Sequence, residues 1–343
     1  MIKSGTDKLV EITRGNLVES SHSGALAVVS SSGKLLHAIG DVNQLMFARS
    51  ALKPFQVISF LESGAYDHFR FLPKHLALAC GSHNGEHQHT ETTEDMLALI
   101  GLSDVHLHCH GHSPFHQESY ESLIREGTPF KRVHNNCSGK HAAMLAQCIF
   151  HEYAVEGYQE ESHSLQQEVL RNLSEVTGVP ASQIEVGIDG CGLPTHAIPL
   201  RQVAYAYSQL ADPVGMTANK RKALMQIGDA MTANPKMVGG TGAFCTDLMT
   251  TMKGSVVGKV GAEGVYCMAL RDRGIGIAIK IFDGSERGLY PVAMEVLDQL
   301  GVLSEEQKLA LKAYHTPEVR NRQNEVVGSV RPTFTLATTD TTK

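Results

Sequence analysis

The sequence has no excess of basic residues: Lys plus Arg number 30 against 36 acidic residues, for a formal charge of −6. No basic run or stripe breaks that balance, which argues against a nucleic-acid partner and for a small ligand. No run of about 18 apolar residues occurs, so nothing is expected to span a membrane. The opening stretch MIKSGTDKLVEITRG lacks the apolar core of a signal peptide. An even cysteine framework is missing too. Seven cysteines stand at 80, 109, 137, 148, 191, 245 and 267, an odd set spread through a long chain rather than the dense pairs of a small secreted domain. These absences together lead us to expect a reducing cytoplasm. Repeats and low-complexity tracts are also absent, and no linker forces a division of the 343 residues. With 42% apolar content the chain can bury one large core or two smaller ones. It reads as one domain over 1–335, divisible into two lobes, with a tail at 336–343.

The patterning is β-rich at both ends and helical between them. Leu9–Thr13 and Gly24–Val29 read as strands, and Ser31-Ser32-Gly33 turns the chain into Leu35–Ile39. Apolar residues at three- and four-residue spacing predict helices at 53–64, 88–100, 117–126, 138–154, 161–177 and 215–232. Gly264–Leu270 and Ile275–Phe282 read as strands around a turn, followed by helices at 286–300 and 304–313. From Thr316 onward the chain is polar and reads as loop. Strands at both ends with helices between them predict an α+β fold: an antiparallel sheet closed by the two termini, packed against a mostly helical middle part.

Three short motifs carry chemistry. Ser50-Ala51-Leu52-Lys53 is an S-x-x-K whose spacing puts both side chains on one helix face. A serine hydroxyl needs a base to become nucleophilic, and a lysine kept neutral by burial or nearby cations can serve. The motif alone is weak, since about one is expected by chance in a chain of this length, and an N-cap serine beside a solvated lysine explains it equally. Ser82-His83-Asn84 is an S-x-N after the apolar run Leu76–Cys80, and Lys259-Val260-Gly261 is a K-x-G just before the C-terminal strand pair. Ser82 by itself is a turn serine and Lys259 by itself a surface lysine. Their order after S-x-x-K matches that of class A β-lactamases and penicillin-binding proteins, in which a second Ser–Lys pair faces the nucleophile. A β-lactamase without an export signal is a poor fit. A cytosolic serine–lysine hydrolase of a small amide is the better reading.

His134-Asn135-Asn136-Cys137-Ser138-Gly139-Lys140-His141-Ala142 and Gly187-Ile188-Asp189-Gly190-Cys191-Gly192-Leu193-Pro194-Thr195 closely resemble signatures of the rhizobial-type L-asparaginases, the asparaginase II family. The resemblance runs over nearly the whole chain. It includes Arg14-Gly15-Asn16 with Glu19 and His22, Arg49 to Pro54, Cys80 to Glu86, Phe244 to Met249, Ala262 to Tyr266, Asp283-Gly284 and Asn324 to Gly328. Ala243 departs from it, standing where arginine is expected. The resemblance implies a β-lactamase-like fold, a homodimer, and hydrolysis of L-asparagine to aspartate and ammonia. It implies Ser50 as nucleophile, Lys53 as its base, and Ser82 with Lys259 as the second pair. It also implies zinc held by Cys137, Lys140 and Cys191, with Asp189 nearby. Two thiolates suit zinc, whereas a lysine ligand must shed a proton whose usual pKa is about 10.4.

Charge type alone proposes Arg49 and Lys259 for the substrate's α-carboxylate and Asp189 or Glu263 for its ammonium; His83 and Asn84 complete the expected binding set. His106, His108, His110 and His112 alternate as if on one face of a strand, but the resemblance brings no ligand there, and a polar loop is the plainer reading. The alternatives are a glutaminase or broader amidase, since one methylene typically changes discrimination by only about 1–3 kcal/mol. A zinc- or amino-acid-binding protein without catalysis is a different class, against which the intact Ser50, Lys53, Ser82 and Lys259 stand.

Overall fold

Both ends of the chain meet in one sheet. The computed structural model describes residues 8–337. The N-terminal part supplies β1 (Lys8–Arg14), β2 (Leu17–Ser30), β3 (Leu35–Ile39) and β4 (Leu45–Phe47). The middle adds only β5 (Glu185–Ile188) and β6 (Pro194–Pro199), and the last third supplies β7 (Val256–Gly261), β8 (Val265–Leu270), β9 (Ile275–Ile281), β10 (Glu318–Arg320) and β11 (Val326–Pro332). The large sheet runs β10-β11-β1-β2-β9-β8-β7 with β3 also paired to β2, and a small sheet runs β4-β6-β5. The strand pairings are antiparallel throughout. This is the α+β arrangement expected from the pattern.

The centre of the large sheet is dry on both faces. Leu26, Val28, Ile277 and Ile279 on one face are fully buried, each worth about 1.5–3 kcal/mol relative to exposure, and Ala27, Val29 and Ala278 on the other are fully buried too. The Leu200–Ala211 helix lies so close to one face that a Cβ on Gly276 would stand 1.9 Å from Ala204 O. Only glycine permits that approach. The Glu286–Gln299 helix contacts β8 and β9 as well as β1 and β11, and is started by Ser285, whose hydroxyl accepts from Arg287 N–H. The helical middle includes Pro73–Ala79, His87–Leu99, Ser138–His151, Ser164–Thr177 and Ala218–Ala233. Ser164–Thr177 shows why such a segment is legible: His163 caps its start, and Gly178, at φ +70°, closes its end.

Three expectations need correction. The stretch after Thr316 is not all loop, because β11 pairs with β1 and β10 pairs with β11. Val326, Val327 and Val330 are too few to announce a strand, and it is the partner β1 that supplies the buried face. The helix expected over 53–64 is interrupted at Val57, into Lys53–Gln56 and Ile58–Glu62. Lys259 lies inside β7 rather than before the strands. The alternating histidines lie, as the plainer reading had them, off any strand: Asp104–His106 is a 3-10 turn and 107–116 is irregular. Of the tail assigned to 336–343, residues 338–343 lie outside the described residues.

Candidate functional site

The turn that presents Ser50 is strained and held from several sides. Arg49 sits at φ +52°, a left-handed conformation that costs a non-glycine residue roughly 1–2 kcal/mol. Its guanidinium donates to Asp189 Oδ1 from Nε at 2.8 Å and from Nη2 at 2.7 Å. The Tyr207 hydroxyl donates to Ala51 O at 2.7 Å. On the sheet side, a Cβ on Gly261 would lie 2.5 Å from Ala48 O and 3.2 Å from Ala51 N, so the end of β7 presses directly against this turn. Ser50 is left half-buried, and no hydrogen bond of its hydroxyl is formed among the described residues.

Lys53 follows at the start of the next helix and is fully buried. Its ammonium has three protons and takes three acceptors: Gly81 O, Ser82 Oγ at 3.0 Å and Asn136 O at 3.1 Å. The Ser50–Lys53 contact suggested by their spacing is therefore not made. A buried ammonium away from water goes where acceptors surround it, and here those are Gly81 O, Ser82 Oγ and Asn136 O.

Lys259 reaches the same serine from β7. Fully buried, it donates to Ser82 Oγ at 2.8 Å and to Val260 O at 2.7 Å. Burial and the Lys53 charge pull its pKa down to about 7. Ser82 Oγ thus stands between two lysines. Its own backbone N–H is anchored on Val238 O at 2.8 Å.

The neighbours of Ser82 act as braces. His83 is fully buried, accepts from Gly85 N–H at 3.2 Å through Nδ1 and bonds Ser138 Oγ at 2.9 Å through Nε2. Burial first, then His89 and Lys53, hold its pKa well below the usual histidine value, so the ring is neutral. It stacks on His89 with centroids 4.8 Å apart. Placed this way, His83 offers no ring nitrogen to a substrate, contrary to expectation; it ties the irregular segment carrying Ser82 to the start of the Ser138–His151 helix. Asn84 donates to Thr241 O at 3.3 Å, while its Oδ1 is buried without a partner. Glu263 lies exposed in the turn between β7 and β8, at φ +62°.

Cys137, Lys140 and Cys191 converge behind this cluster, 4%, 1% and 5% exposed respectively for the two thiols and the lysine between them in order. Lys140 Nζ lies 3.7 Å from Cys191 Sγ, and the Cys137 thiol is within hydrogen-bonding reach of the same sulfur. That bond, with help from the Lys140 charge, brings Cys191 down to about 5 against the effect of burial. Cys137 is correspondingly pushed up to about 12. Tetrahedral zinc places neighbouring nitrogen and sulfur donors roughly 3.5–3.8 Å apart, so the spacing and the ready thiolate fit that metal. Asp189 sits beside them. Burial opposes its charge, but Lys140, Arg49 and the Gly190 N–H hold its pKa below the ordinary aspartate value.

The histidine-rich segment wraps this turn rather than forming a cluster of its own. Asn136 N–H donates to His112 Nε2 at 3.0 Å, and Asn135 Nδ2 donates to His110 O at 2.7 Å. Among the described residues, the one His/Cys/Asp/Glu trio with ligand atoms within 4.8 Å of one another is Glu295, Asp298 and His315. There Lys308 already binds Asp298 at 2.6 Å.

A family model described as L-asparaginase II matches residues 10–332. The chain belongs to the L-asparaginase II family. Membership makes it a protein of an asparaginase-type amidohydrolase family. No curated protein matches the chain. Among solved structures, Mglu in its native form is 12% identical, with 82% of this chain and 66% of that chain covered, at a TM-score of 0.47. A β-lactamase from Mycobacterium bovis is 14% identical, covering 80% and 94%, at 0.39. A putative β-lactamase from Bacteroides dorei is 12% identical, covering 80% and 93%, at 0.41. The chain spans 60–66% of the length of the first three Mglu structures it matches.

Proposed function

We propose that this member of the L-asparaginase II family is of the rhizobial type and hydrolyses L-asparagine to L-aspartate and ammonia, with Ser50 as nucleophile. The observation that carries the reading is the placing of Ser82 Oγ between Lys53 at 3.0 Å and Lys259 at 2.8 Å, with Lys53 one helical turn after the half-buried Ser50.

Neutral Lys259, favoured by a pKa of about 7, takes the Ser82 proton, and Ser82 takes one from Lys53. Lys53, now neutral, turns toward Ser50 and removes its proton as Oγ attacks the side-chain amide carbon. The C–N bond breaks, Lys53 returns the proton to the leaving ammonia, and a β-aspartyl ester remains on Ser50. Water then attacks the ester with Lys53 as base, and the Ser50 oxygen recovers its proton. Backbone N–H groups at the strained turn stabilise the oxyanion. Zinc, held by Cys137, Lys140 and Cys191, would supply a Lewis acid that helps to orient the substrate.

The same proposal takes residues 1–335 as one catalytic domain and the protein as a cytoplasmic homodimer. Seven free cysteines suit a reducing compartment, and no helix among the described residues is long and apolar enough to cross a membrane. Ammonia release from asparagine and glutamine, measured side by side, tests the substrate. Faster turnover of asparagine is expected. Preference for glutamine would overturn the substrate, and no release from either would overturn the reaction.

A further inference from the structure

The face of the large sheet that carries Lys259 holds a second lysine. Cross-strand partners point to the same side and alternate residues return to it. By register, Lys259 and Gly261 of β7 share their face with Cys267 and Val265 of β8, and those with Ala278 and Lys280 of β9. Lys280 therefore occupies the rung of Gly261, two strands over, at a Cα distance of about 10 Å. Gly261 is the residue on which the Ala48–Ala51 backbone rests. A long side chain on that rung stands at the edge of the turn that presents Ser50.

The charges around Lys280 fit this position. It is half-buried, and burial lowers its pKa. Glu263 and Asp283 are near enough to oppose that shift, and Arg49 near enough to add to it. Its ammonium donates to Glu263 O, and among the described residues it makes no ion pair. Two of its three protons thus have no protein acceptor. The other cations of the site are committed. Arg49 is gripped by Asp189, and Lys53 and Lys259 are spent on Ser82 and backbone carbonyls.

We propose that Lys280 binds the α-carboxylate of the amino-acid substrate, with the neighbouring Glu263 carboxylate receiving its α-ammonium. This rests on the asparaginase reading above and replaces Arg49 and Lys259 as the residues for that task. A lysine beside an exposed glutamate matches a zwitterionic head group in both signs.

The test is calorimetric titration of the full-length Ser50→Ala protein with L-aspartate, the product that keeps the head group, with and without Lys280→Met. Loss of one charge-assisted contact is expected to raise the aspartate Kd about tenfold or more, while Lys280→Arg stays within about threefold. In the Ser50 enzyme, Lys280→Met should raise KM for asparagine by a similar factor with kcat little changed. An unchanged aspartate Kd overturns the proposal, as does a fall in kcat at constant KM. If Lys280→Met does not fold, Lys280→Gln keeps a donor for Glu263 O and is read in the same way. Lys280-dependent aspartate binding in a protein that releases no ammonia from asparagine would support the site while refuting the asparaginase reading. Absence of aspartate binding to the Ser50→Ala protein refutes the site.

Discussion

Arg49 grips a single oxygen of Asp189 through two N–H groups, at 2.8 and 2.7 Å, and so joins the residue before Ser50 to a residue two before Cys191. The Ser50 turn and the Cys191 loop are one unit through this contact. Removing the carboxylate leaves a guanidinium only 25% exposed without its partner and releases the φ +52° turn.

Asp189→Ala should therefore lower unfolding free energy by about 1–3 kcal/mol and kcat/KM for asparagine by at least about tenfold. Urea unfolding and steady-state ammonia release check both. An unchanged midpoint with full activity would show that the turn is held by Tyr207 and Gly261 alone.

The pH profile tests the lysine relay. Burial and Lys53 bring Lys259 to about 7, and the proposed chemistry needs its neutral form. kcat/KM should thus be low in acid, rise as pH passes upward through about 7, and level off above it. Lys259→Met should remove that limb and cost on the order of 10²–10⁴ in rate. A limb that survives in the variant would assign it to another group.

The thiolate site makes a prediction about metal content. Cys191→Ala should abolish most of the zinc retained after dialysis against buffer, because it removes the donor already ionised at neutral pH. Cys148, buried elsewhere on the Ser138–His151 helix, provides the control: Cys148→Ala should leave the stoichiometry unchanged. Equal zinc in both variants would refute the assignment.

The general layout was readable because it depends on local pattern. The apolar, β-rich runs of β2 and β9 and the capped periodicity of Ser164–Thr177 are properties of the segments themselves. What escaped depends on partners far along the chain. β11 is short and half-buried, and exists because β1 offers it a paired edge. The S-x-x-K spacing singled out Lys53, but its direction was set by Gly81, Ser82 and Asn136, which no spacing rule links to it. His83 sits inside a motif and so read as a binding residue, whereas its burial against Ser138 and His89 is a tertiary fact. Lys280 did leave a trace: it follows Gly276 and Ala278 at two-residue spacing, a charge at the end of a face otherwise made of small residues.

The account turns on Ser50 being the residue that attacks. Steady-state ammonia release from asparagine by Ser50→Ala, in protein shown to melt as the parent does, tests it most directly. Loss of at least about 10³-fold in kcat with the fold intact is the predicted result. Turnover within about tenfold of the parent would contradict the account and move the nucleophile elsewhere, with Ser82, already held between two lysines, the first residue to examine.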